Sequence, residues 1–329
     1  MTLREAVDRY VAWQRDHGAK FRSSAQTLDT FCRRIGEHRA CDSVGEDEVR
    51  RFLAGKAGLT RTRAVKYGTL AGFYRFAFSR GHVSRIPMPA REAEPRPPQV
   101  APSFIFTHEE LRRLFKAAGT GRRRCPKLDA ETFRTFLLLL YGAGLRSGEA
   151  RRLTLADVDL DSAVLAVNDT KFYKSRLVPV GADLLGVLRG YATVRARRPR
   201  IEGTQSTFLA CRDGSPLSKN IVGNAFRATL RAAGIDRSKP GCRAACLHSL
   251  RHTFATHRLA SWYRQEVDVQ RLLPALSTYL GHNSVAATQV YIAMTPELLD
   301  EASHRFERYV EHNPSPDPGQ HLKGDTRHA

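Results

Sequence analysis

TFRTFLLLLYGAGLRSGEARRL, residues 132–153, decides how the rest of the chain is read. Residues 132–141 are apolar on nearly every side, the pattern of a helix buried all round. Gly142 and Gly144 end that helix, and Ser147 opens another. Arg146 therefore stands at a glycine-flanked helix start, directly after a buried segment. A charge there is costly to bury unless an anion meets it. Two kinds of partner satisfy that demand: a nearby acid such as Glu149, or an anionic ligand.

Downstream, residues 163–167 (AVLAV) and 176–180 (RLVPV) read as the strands of a hairpin. The polar turn between them carries Lys171 and Lys174, and a turn lysine is ordinarily a solvated surface group. In LHSLRHTFATH (247–257), His248 and Arg251 are three residues apart and share a helix face, while His252 points elsewhere. A His–Arg pair suits an anion better than a metal, because guanidinium repels a cation. The plainer alternative is a helix-end histidine beside a surface arginine. In LGHNSVAATQVYIAMT (280–295), His282 follows a helix-ending Gly281. Tyr291 comes later among Val290, Ile292 and Met294, where a tyrosine is ordinarily core with its hydroxyl hydrogen-bonded. Each segment alone supports a structural role. Together they supply two arginines, two histidines, a lysine and a tyrosine, with no essential carboxylate. That set suits the stabilisation of a phosphate transition state without a metal.

Upstream of this unit, residues 1–86 read as four short helices. Leu3, Ala6, Val7, Tyr10 and Val11 form one apolar face, and Ser23 or Ser24 is a candidate cap for a second helix carrying Leu28, Phe31, Cys32 and Ile35. Val49, Phe52 and Leu53 mark a third. A fourth starts near Thr60 and runs to Gly81, carrying Arg61, Arg63, Lys66 and Arg75. Those four are candidates for phosphate contacts or, equally, a solvated face. Residues 87–102 hold six of the sixteen prolines and read as an extended linker. Fully extended, such a linker reaches roughly 50 Å. Thr107 is a candidate N-cap for the helix that opens the second unit, and the polar residues 313–329 read as a disordered tail.

The net charge is +20, and the excess is not confined to a tail. Residues 1–86 carry a net +8 and residues 103–312 a net +12. Two basic folded units imply a polyanionic partner, most simply nucleic acid. No run of roughly 18 or more apolar residues is present, so no membrane helix is expected. The N-terminus lacks the apolar core of a signal peptide, so a cytoplasmic protein is expected. Six scattered cysteines read as reduced thiols. Cys242 and Cys246 lie near His248 and His252, but their spacing fits no common zinc pattern, and neither metal nor cofactor is expected.

The combination resembles the tyrosine recombinase (phage integrase) family over nearly the whole chain, most strongly over 136–180 and 246–311. GLRSGE matches the first arginine motif and gives Arg146. Lys171 matches the hairpin lysine that precedes a K-x-R-x-x-P tail. His248 and Arg251 fill H-x-x-R, His282 fills LGH, and Thr288 and Tyr291 fill T-x-x-Y. The stretch from Arg251 to His282 is longer than in compact members, which predicts an added loop or helical extension.

The resemblance implies a mainly α fold with a small β-hairpin or sheet in the catalytic domain, built as a two-domain C-shaped DNA clamp. In it, 1–86 is a helical, core-type (SAM-like) DNA-binding domain, 87–102 a linker and 103–312 the catalytic domain. It implies that Tyr291 attacks a DNA phosphodiester, displaces the 5′-hydroxyl and forms a 3′-phosphotyrosyl link. Arg146 and Arg251 would stabilise the phosphate, His248 accept a proton, Lys171 act as general acid and His282 donate a hydrogen bond; Glu149 would be a structural partner. The implied partner is double-stranded DNA with a specific site, bound by a homotetramer on two duplexes. Residues 296–311 would form a helix docking on a neighbour or on their own domain. A role in a transposon or other mobile element is expected. The alternatives are type IB topoisomerase-like relaxation and a non-catalytic DNA-binding relative.

Overall fold

The computed structural model describes residues 1–19, 21–54, 61–90, 101–120, 126–168, 175–282, 284 and 286–289. Lys171, Lys174, Tyr291, the segment 296–311 and the tail 313–329 lie outside them. The chain divides into two compact units, Met1–Val100 and Ala101–Ala329.

The first unit holds α1 (Leu3–Asp16), α2 (Arg22–Ile35), α3 (Glu46–Ala54) and α4 (Arg61–Ser79). Thr2 and Glu5 cap α1 reciprocally, each side chain taking the other's backbone N–H. The apolar faces expected on α1 to α3 do meet: Leu3, Val7, Tyr10, Leu28, Phe31, Val49, Phe52 and Leu53 are buried with Leu70, Phe73 and Tyr74 of α4. Ser23 and Ser24 are not caps. Helix α2 begins earlier, behind Phe21 in a left-handed conformation (φ 36°), and has no side-chain cap. Phe21 fits because its ring packs edge-on against Tyr10, so tertiary packing replaces the cap.

The second unit runs α5 (His108–Thr120), α6 (Ala130–Gly142), α7 (Ser147–Arg152), β1 (Val158–Asp159), β2 (Val164–Val167), β3 (Arg176–Pro179), α8 (Ala182–Ala196), α9 (Lys219–Ala232), α10 (Leu247–Arg264), α11 (Val269–Leu280) and α12 (Ala286–Gln289). Thr107 caps α5 as expected, accepting from Glu110 N at 3.1 Å. The buried helix read from residues 132–141 is α6, which packs against α5, α8 and α10. Phe133, Phe136, Leu137, Leu139 and Leu140 are fully enclosed there. Each such side chain contributes roughly 1.5–3 kcal/mol through burial, so α6 is the axis of the unit.

The expected hairpin is part of a three-stranded antiparallel sheet in the order β1-β2-β3, with Leu165 opposite Val178 and Val167 opposite Arg176. Side chains alternate along a strand, so Arg176 faces the same way as the buried Val178, while Leu177 is exposed. The long stretch between Arg251 and His282 is filled by the rest of α10, a short turn and α11. No helix among the described residues is long and apolar enough to cross a membrane.

Candidate active site

Arg146 is the residue before α7, and Glu149 lies one turn into that helix. The Glu149 carboxylate accepts from the Arg146 backbone N–H at 3.0 Å and from its Nη1 at 2.6 Å. Arg176 reaches in from β3 and donates to both oxygens of the same carboxylate, at 3.3 and 2.8 Å. Arg251 of α10 is buried, with its Nη1 3.9 Å from Glu149 Oε2. One nearly enclosed carboxylate thus faces three guanidinia. Burial pushes the Glu149 pKa up, but donation and charge from Arg176, then Arg146, outweigh it and hold the group down at about 2. Arg146 therefore has the acid partner that the sequence offers, and shares it with two other guanidinia.

The same three arginines hold the end of α11. Tyr279 O accepts from Arg176 Nε at 2.8 Å, Leu280 O from Arg251 Nη2, and Gly281 O from Arg146 Nη2 at 2.7 Å. These are among the carbonyls a helix leaves unpaired at its C-terminus, where the dipole also favours cations. Gly281 ends the helix in the left-handed region (φ 66°), and a Cβ there would lie 2.8 Å from Arg176 Nη1. His282, the next residue, is delivered beside the arginines. Arg251 also donates to Gly144 O at 2.8 Å, so the loop between α6 and α7 is drawn into the same cluster.

His248 lies in the first turn of α10, one turn before Arg251. The residue is exposed. Desolvation, then the charges of Arg251 and Arg146, lower its pKa to about 4. The imidazole is therefore neutral at pH 7 and has a lone pair able to accept a proton. His282 is lowered to about 4 by burial and then by Arg251, Arg146 and His248. Its Nδ1 lies 2.8 Å from Thr288 Oγ1.

Four of the six residues read from the sequence are therefore brought together: Arg146, His248, Arg251 and His282. Lys171 and Tyr291 fall outside the described residues. His252 departs from expectation. It does not turn away: its ring meets that of His248 edge-on, with centroids 4.4 Å apart, and desolvation with His248, Arg251 and His282 lowers its pKa to about 3. Residues four apart on a helix are neighbours, and that spacing was the missed signal. Arg176 was also missed. Its alternation with Val178 marks it as inward-facing, and an inward arginine needs an acid. Among the described residues no cluster of His, Cys, Asp and Glu is arranged to hold a metal ion.

The four basic candidates of the first unit all lie on α4. Arg63 and Lys66, three residues apart, share one side, whereas Arg75 lies nine residues beyond Lys66 on the opposite side. Lys66 Nζ sits 5.1 Å over the Phe52 ring, Arg63 is half-buried and Arg75 is exposed. The set is thus divided between two faces.

The family model of the phage integrase family matches residues 105–297. The integrase/recombinase y4rB of Sinorhizobium fredii is 36% identical over 313 residues, 93% of this chain and 98% of that protein. The tyrosine recombinase XerA of Thermococcus onnurineus is 30% identical over 270 residues, 78% of this chain and 86% of that protein. Among solved structures, the Tn1549 transposon integrase in complex with a circular intermediate DNA has a TM-score of 0.65 at 17% identity, over 94% of this chain and 99% of that one. A lambda integrase tetramer bound to a Holliday junction has a TM-score of 0.60 at 19% identity, over 88% of this chain and 77% of that one. At those identities the two structures attest a shared fold. The sequence relatives are recombinases, which sets aside DNA relaxation and a non-catalytic role. The chain belongs to the phage integrase family and is a tyrosine-type site-specific recombinase.

Proposed function

We propose that Arg146, Arg251, His248 and His282, completed by Lys171 and Tyr291, form the site at which a DNA phosphodiester is cut and rejoined. The observation that supports this best is the meeting of Arg251 and Arg146 on consecutive carbonyls, Leu280 and Gly281, immediately before His282. In the reaction the Tyr291 hydroxyl attacks phosphorus, its proton passes to His248, and the 5′-oxygen leaves with a proton from Lys171. The ester broken in the DNA is replaced by a 3′-phosphotyrosyl ester, so a partner strand's 5′-hydroxyl reverses the step without an external energy source. Arg146 and Arg251 donate to the non-bridging oxygens, where negative charge accumulates.

The substrate in this reading is duplex DNA bearing a specific site, gripped by a helical unit over residues 1–86 and a catalytic unit over residues 103–312. The side of α4 carrying Arg63 and Lys66 is the better candidate for a concerted phosphate contact, because those two are neighbours. The assembly is a tetramer on two duplexes, a reading supported by the lambda integrase tetramer bound to a Holliday junction, and the element served is a mobile one, as for the Tn1549 transposon integrase. The test begins by sequencing DNA bound by the protein to find its site. A nicked suicide duplex of that site is then incubated with the protein and resolved on a denaturing gel. Wild-type protein forms a covalent adduct and Tyr291→Phe forms none. An adduct with Tyr291→Phe reassigns the nucleophile, and no adduct with wild type removes the cutting site altogether.

A further inference from the structure

Thr288 is fully buried, and its hydroxyl lies 2.8 Å from Nδ1 of His282. It sits on α12, three residues before Tyr291 in the chain. The segment entering α12 is tied back to α11, since Ser277 Oγ donates to Ser284 O at 3.4 Å. A neutral imidazole carries its proton on one nitrogen, and the partner of the other nitrogen decides which. Two arrangements fit the contact. If Nδ1–H donates to Thr288, Nε2 is a lone pair and cannot donate. If Thr288 donates to Nδ1, Nε2 carries the proton and offers it outward. Only the second gives a phosphate oxygen a donor; a lone pair directed at it would repel it.

We infer that Thr288 is a positioning residue whose hydroxyl donates to His282 Nδ1 and holds the ring as the Nε2–H tautomer that a DNA phosphate requires. The inference rests on the phosphate-cutting reading above, because the 2.8 Å contact fits either direction and the phosphate's need for a donor selects the Nε2–H form. The imidazole is neutral near pH 7, with burial, Arg251 and Arg146 all opposing its protonation, so the tautomer is the relevant variable there.

The test uses the full-length protein without DNA at pH 7. Long-range nitrogen–proton NMR of the imidazoles reports the tautomer of His282, identified by the signal lost in His282→Gln. Wild type and Thr288→Ser show the Nε2–H form, whereas Thr288→Val, which keeps the volume without the hydroxyl, shows a mixture or the Nδ1–H form. On the suicide duplex, Thr288→Val forms adduct roughly five- to tenfold more slowly at unchanged DNA affinity, and Thr288→Ser stays within about twofold of wild type. A wild-type ring in the Nδ1–H form overturns the inference without any variant, which covers the case of a Thr288→Val that fails to fold. A Thr288→Val spectrum identical to wild type overturns it as well. Wild type that forms no adduct overturns the phosphate-cutting reading instead, and the spectra still decide the role of Thr288.

Discussion

Arg176 on β3 and Glu149 on α7 meet as a forked ion pair, with Nη2 2.8 Å from Oε2 and Nη1 3.3 Å from Oε1. The remaining guanidinium nitrogen, Nε, is committed to Tyr279 O. One side chain therefore joins the sheet, the helix start beside Arg146 and the helix end before His282. Arg176→Ala is expected to lower the unfolding free energy by about 3 kcal/mol, the usual cost of breaking a buried pair. Arg176→Lys restores only part of it, because an ammonium cannot serve a carboxylate fork and a carbonyl in this planar arrangement. Urea unfolding of both variants measures this; an Arg176→Ala midpoint equal to wild type would contradict the assignment.

Stability is expected to fall across two overlapping pH windows. His248, His252 and His282 have folded pKa values lowered to about 4, about 3 and about 4. The unfolded chain takes up protons from near the ordinary histidine value, roughly 6.5, while the folded chain does not. The folded state therefore loses stability as pH falls from about 6.5 towards about 4. Glu149 acts mainly below that. Its folded pKa is held down at about 2, so its contribution is full above the ordinary carboxylate value and is lost as pH falls through about 2. Unfolding free energies measured across pH should show His252→Gln flattening the upper window and Glu149→Gln the lower one. Unchanged slopes in both variants would sink this account.

Gly144 is expected to tolerate no side chain. Its φ is +59°, and a Cβ would lie 2.7 Å from Phe254 Cδ1 and 2.9 Å from Leu280 Cδ2. Gly144→Ala should cost roughly 3 kcal/mol from the left-handed backbone and the overpacking together. Its carbonyl also receives Arg251, so adduct formation should drop further than stability alone explains. Denaturation and suicide-substrate rates on the same preparation separate the two effects.

Arg251→Lys and Arg146→Lys keep the charge but lose the fork. Each is expected to slow adduct formation roughly a hundred- to a thousandfold, the scale for removing one transition-state donor. DNA affinity, measured by fluorescence anisotropy, should change far less. A variant that binds DNA tenfold more weakly, yet cleaves at the wild-type rate when saturated, would place that arginine in binding alone. Chelation by EDTA is expected to leave wild-type adduct formation unchanged, since in the proposed site the charge facing the phosphate comes from arginines of the chain.

Much of the architecture was legible in the residues alone because it is local. Apolar periodicity marks α1, a run apolar on nearly every side marks α6, Thr107 announces the start of α5, and Gly142 and Gly281 stand where helices end. Arg146, His248, Arg251 and His282 each support a plain structural role on their own segments; their order and the family resemblance join them into one candidate set, and folding brings the four together. What local pattern could not convey is which carbonyl or carboxylate each would meet, since those partners lie up to 135 residues away, as between Arg146 and Gly281. The cap of α2 was misplaced because the Tyr10 ring, not a serine hydroxyl, accommodates that turn. His252 differs from its sequence expectation because residues four apart on a helix are also neighbours, so it joins His248 although His248 and Arg251 share a face. Arg176 had no reading of its own until folding set β3 against α7 and the end of α11. Burial explains the division. Helices and turns follow from a few adjacent residues, whereas a cluster of three guanidinia is tolerable only where a distant carboxylate and the unpaired end of another helix are brought to meet it.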